Sequence, residues 1–66
     1  MLTMKRVNQA LTAKYGEGIE LVRGEGYFYF MGNLVPSMPS VFVYRLNHLS
    51  LDRWLYEAEA AIAAEE

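Results

Sequence analysis

The chain has one histidine, His48, and no cysteine. An imidazole can act as a general base, but that chemistry needs an orienting partner and a pocket. His48 stands just ahead of a helix-start signal and reads better as a solvated or backbone-bonded side chain. Gly24-Glu25-Gly26 has the opening of a phosphate-cradling loop. The dinucleotide fingerprint requires a third glycine three residues on, with a helix opening there. Position 29 is tyrosine and a strand pattern follows, so a hairpin turn is the simpler account. Glu17, Glu20 and Glu25 invite a reading as paired acids or metal ligands. With Lys14 and Arg23 among them, they read instead as a solvated surface. Glu57 and Glu59 are two apart on a helix, do not face each other, and make no carboxylate dyad. Neither Ser37 nor Ser40 lies in a nucleophile elbow. No catalytic, cofactor-binding or metal-binding residue is assigned, and the chain is read as not an enzyme.

The chemistry that remains is recognition. Tyr27-Phe28-Tyr29-Phe30 follows Ile19-Glu20-Leu21-Val22-Arg23 across a glycine-flanked turn. Side chains alternate across a strand, so the phenols fall on one face and the phenyls on the other. A two-residue loop at Gly24-Glu25, or a four-residue loop over 23–26, sets Arg23 against Gly26, Leu21 against Phe28 and Ile19 against Phe30. One face then carries Ile19, Leu21, Phe28 and Phe30, and the other Glu20, Val22, Tyr27 and Tyr29. A one-residue slip would mix the two sets. The expected interaction surface is Val22, Tyr27 and Tyr29, flanked by Arg23 and Arg45, with one face of the third strand beside them. Such tyrosines suit a protein interface, partial burial within the monomer, or base stacking.

The elements that must position this surface follow from patterning. Met4, Val7, Leu11 and Tyr15 recur at helical spacing, with Thr3 as N-cap and Gly16 closing the helix. Lys5, Arg6, Asn8, Gln9 and Thr12 then face water. Strands are expected at about 19–23 and 26–31. Residues 32–40, with Pro36 and Pro39, form a loop that packs Leu34, Val35 and Met38 at the core edge. Val41-Phe42-Val43-Tyr44-Arg45 is a third strand, apolar on both faces until Arg45. Ser50 caps the last helix, with Leu49 and Trp54 as a hydrophobic staple. Leu51, Trp54, Leu55, Ala58, Ala61 and Ile62 form its apolar stripe, and Glu65 and Glu66 oppose its dipole and favour fraying. The expected fold class is α+β, a helix, a three-stranded antiparallel meander and a helix, with both helices on one face of the sheet.

Sixty-six residues make one small domain, residues 1–66. A chain this short buries little of its surface and commonly gains stability from a disulfide, a metal or a second subunit. Without cysteine the first is excluded, and a structural zinc is disfavoured. The 53% apolar content exceeds what so small a core can hide, so a homodimer is expected. The net charge of −2 argues against a general nucleic-acid binder. No apolar run approaches the ~20 residues needed to span a bilayer, and the first residues lack the order of a signal peptide. A cytoplasmic location without membrane contact is expected.

Tyr15-Gly16, the stretch Ile19–Phe30, the stretch Arg45–Leu51 and Trp54 together resemble small bacterial proteins without an assigned activity, often carried on phages and mobile elements. The resemblance covers most of the chain and supplies no site. It implies an accessory role, such as binding and modulating a host or phage protein. The expected function is a non-enzymatic interaction module that self-associates through its open tyrosine-bearing face. The alternative is an accessory protein that binds single-stranded nucleic acid or inhibits a nucleic-acid enzyme with its acidic helix.

Overall fold

The computed structural model describes all 66 residues. Helix α1 spans Met4–Tyr15, strands β1, β2 and β3 span Glu20–Arg23, Phe28–Met31 and Ser40–Val41, and helix α2 spans Leu51–Ala64. The sheet is antiparallel in the order β1-β2-β3, and the chain is α+β with both helices contributing to a core on one face of that sheet. No helix is long and apolar enough to cross a membrane.

Both helices start where local chemistry dictates. The Thr3 hydroxyl accepts from the Arg6 amide at 3.1 Å, and the Ser50 hydroxyl accepts from the Arg53 amide at 3.2 Å. Each bond satisfies an amide that the helix itself leaves without a partner. Val7 and Leu11 of α1 and Trp54 and Ala58 of α2 are fully buried against Ile19, Leu21, Phe28, Phe30 and Val35. Trp54 lies edge-on to Phe28 and Phe30, with centroids 5.3 and 6.5 Å away. Its indole N–H donates to the Leu46 carbonyl at 2.8 Å, which gives the buried ring's polar tip the partner it requires.

The hairpin register differs from the expected one. Arg23 faces Phe28, Val22 faces Tyr29, Leu21 faces Phe30 and Glu20 faces Met31. The tip is Glu25-Gly26, not Gly24-Glu25. Gly26 adopts φ 78°, which glycine takes without a Cβ penalty, and the Gly24 amide closes the turn on the Tyr27 carbonyl at 2.8 Å. Moving the tip by one residue moves the register by two. The face of every side chain is therefore preserved.

The third strand is also shorter than expected. Ladder pairing stops at Val41, and the Val43 amide turns back onto the Val41 carbonyl at 3.1 Å. Residues 42–44 keep the alternation but leave the ladder, Arg45 is exposed, and Leu46 turns in, where its carbonyl accepts from Trp54.

Asn8 does not face water. Its side chain accepts from the Leu21 amide at 2.7 Å and donates to the Leu21 carbonyl at 3.1 Å. An amide side chain thus stands in for a neighbouring strand on the free edge of β1, and so shields a template for unwanted pairing. The sequence pattern of α1 misses this because the helix lies beside that edge as well as over the core.

The 32–39 connection packs only Val35; Leu34 and Met38 are exposed. Two turns seat Val35: its amide donates to the Gly32 carbonyl at 3.1 Å, and its own carbonyl accepts from the Met38 amide at 2.9 Å. The same segment clasps the end of α2. The Ser37 hydroxyl and amide donate to the Glu65 carboxylate at 2.6 and 3.0 Å, so the helix end is held where dipole repulsion alone predicts fraying.

These contacts have measurable consequences. Gly32 has φ 137°, and a Cβ there would lie 2.2 Å from the Gly18 carbonyl oxygen, whereas Gly16 at φ 77° has open space around it. In urea denaturation Gly16→Ala should cost about 1–2 kcal/mol from conformation alone, and Gly32→Ala should cost more because backbone must also move. The Ser37 hydroxyl, and then the Ser37 amide, hold the Glu65 carboxyl below its usual range. A carboxyl with a lower folded than unfolded value contributes stability above the unfolded value, and loses it as pH falls through the folded value. Glu65→Gln should therefore be less stable than the parent at neutral pH. Melting temperatures should converge as the pH drops below about 4.3, the ordinary glutamate value.

Candidate functional site

The face of the sheet turned away from the helices is aromatic. The β2–β3 pairs Phe28–Val41 and Tyr29–Ser40, continued by one residue, bring Phe42 beside Tyr27. Their ring centroids are 6.1 Å apart, and Tyr27 and Tyr29 are 6.0 Å apart. Across the hairpin Gly24 lies under the Tyr27 ring, where an added Cβ would sit 2.6 Å from Cζ. Tyr44 covers Gly26 in the same way, its Cε1 3.3 Å from the place a Cβ on Gly26 would take. The two turn glycines thus serve the surface: lacking Cβ atoms, they let aromatic rings lie flat on the hairpin tip. Val22 and Tyr29 form the next row, both half-buried, with Ser40 beside them.

Val41 and Val43 pack against the core, which decides the face of the third strand that the sequence left open. Phe42 and Tyr44 therefore point outward, and they are 82% and 78% exposed. Sequence reasoning did not name these two, although the alternation Val41-Phe42-Val43-Tyr44 contained the signal. What it lacked was the β2–β3 register, in which Val41 faces the inward Phe28 and so sets the phase.

Of the five residues expected to share one surface, the structure brings together Val22, Tyr27 and Tyr29. It separates Arg23 and Arg45. Arg23 is the cross-strand partner of Phe28 and so belongs to the opposite side of the hairpin, its guanidinium carbon 5.0 Å from the Phe28 ring centroid. Arg45 lines a groove with Arg23 beside the first residues of the chain. For Arg23 the physical reason is strand alternation, since it follows the outward Val22 and shares a face with Phe28.

His48 is exposed on a short turn, its amide bonded to the Arg45 carbonyl at 3.1 Å. No three His, Asp or Glu side chains gather where they could hold a metal ion. What the aromatic face offers is weakly polar contact area built from Tyr27, Tyr29, Phe42 and Tyr44. Comparison of the chain with protein-family models, with curated proteins and with solved structures gave no match.

The Gly24–Tyr27 contact makes a direct prediction. A Gly24 Hα over the phenol face should resonate upfield of a random-coil glycine in proton NMR. Tyr27→Ser should return it to the ordinary position while leaving the Trp54 indole N–H resonance in place.

Proposed function

We propose that this protein is a non-enzymatic interaction module of the cytoplasm that forms a homodimer by pairing two copies of its aromatic sheet face. The observation that carries the reading is Phe42 and Tyr44, more than three-quarters exposed and contiguous with Tyr27 and Tyr29. An uncharged patch rich in tyrosine and phenylalanine has the composition of an interface centre, where charged residues are depleted. It is also self-complementary in charge, since among the outward residues of the strands only Glu20 is ionised, and it lies at the margin. A two-fold axis through the Tyr27–Phe42 row would stack each ring set on its copy. An accessory role toward a host or phage protein would use the same module, with the partner taking the place of the second copy.

The test is the mass in solution. Light scattering on the eluting parent protein should give twice the 7.6 kDa chain mass at high concentration, falling toward the single mass on dilution. Tyr27→Ser/Tyr29→Ser should elute as a monomer with an unchanged helical circular-dichroism spectrum. A parent protein that is monomeric throughout, or a double variant with unaltered mass, would sink the proposal.

A further inference from the structure

At the end of the sheet near the start of α1, an open groove of about 450 Å³ is lined by residues 1–4, Arg23, Arg45, Leu46 and Asn47. Its volume falls in the range of small-molecule sites, about 300–1,000 Å³. Its wall is divided. Leu2, Met4 and Leu46 supply apolar surface, whereas Arg23, Arg45 and Asn47 supply donors. No acidic residue lines it. The one ion pair of the chain is Arg53–Glu57 on α2, so neither groove arginine has a carboxylate partner. No side-chain hydrogen bond in the protein uses either guanidinium.

Two exposed arginines without carboxylate partners line one groove in a chain whose net charge is −2. Like charges in one groove repel, and an anion between them turns that repulsion into attraction. Arginine's planar fork matches carboxylate and phosphate oxygens in a bidentate geometry. Arg23 is partly oriented already, because its guanidinium rests over the Phe28 ring. The backbone at Leu46, one apolar wall of the groove, is anchored by the bond from Trp54 to its carbonyl.

We propose that this groove binds a small organic oxyanion carrying an apolar body, with Arg23 and Arg45 gripping the anionic head and Leu2, Met4 and Leu46 contacting the body. The site is separate from the aromatic face, since none of Tyr27, Tyr29, Phe42 and Tyr44 lines it.

The test is a titration of the ¹⁵N-labelled protein with N-acetyl-leucine, with N-acetyl-leucinamide and with inorganic phosphate. N-acetyl-leucine should shift the amides of Leu2, Met4, Leu46 and Asn47 saturably. The uncharged amide should bind at least about tenfold more weakly, as expected for loss of a charge-assisted contact. Phosphate should bind, but more weakly than N-acetyl-leucine. Arg45→Gln should weaken binding of N-acetyl-leucine by a similar factor with the remaining spectrum unchanged. Arg23→Gln should do the same, and Arg45→Gln stands alone if loss of the Arg23–Phe28 contact perturbs the fold. Absence of saturable shifts, equal binding of acid and amide, phosphate as strong as N-acetyl-leucine, or unaltered binding in Arg45→Gln would each overturn the proposal.

Discussion

Trp54 is the constraint on which the rest of the structure depends. It is the largest fully buried side chain, and it meets the hairpin through Phe28 and Phe30 and the 46–48 turn through Leu46. In so small a domain a single aromatic can be most of the reason that a helix and a sheet stay together; truncating a buried Phe or Trp to Ala typically costs about 3–5 kcal/mol. The hydroxyl of Ser50 starts α2 four residues earlier and so fixes the turn of helix on which Trp54 lies. The indole N–H then selects one carbonyl in the preceding segment, which no purely apolar side chain could do.

The packing of Trp54 on Phe28 is felt on the opposite face. With Val41 paired to the buried Phe28, and Val43 packed inward as well, strand alternation leaves Phe42 and Tyr44 no direction but outward. Gly24 and Gly26 receive the neighbouring rings at the hairpin tip, where a side chain would lift them. The exposed aromatic face is thus the complement of the core. Each residue that Trp54 commits to the inside commits its neighbour to the outside.

Much of this was legible in the sequence because it is local or periodic. The caps Thr3 and Ser50, the helix stripes and the Phe-in, Tyr-out division of β2 all rest on nearest-neighbour rules. Each survives in the structure. The face division survived even though the register was two residues off, since an even slip preserves facing. What was not legible depends on where elements meet. Asn8 on the edge of β1, Ser37 on Glu65, and the separation of Arg23 and Arg45 from the tyrosines are contacts or phases set by tertiary packing. A single helix or strand pattern holds no record of them. The same is true of Phe42: β-propensity extended the third strand through Arg45, but the ladder ends at Val41, where the Val43 amide turns back onto the Val41 carbonyl.

The central claim is that the aromatic face, and not a helix face, meets the second copy. The most direct measurement is an isotope-filtered nuclear Overhauser experiment on an equal mixture of ¹³C-labelled and unlabelled protein. The account predicts inter-chain cross-peaks from the rings of Tyr27, Tyr29 and Phe42 to their counterparts, and none from Ala60 or Ala64 of α2. Inter-chain cross-peaks confined to α2, with the ring protons of Tyr27 and Phe42 silent, would contradict it.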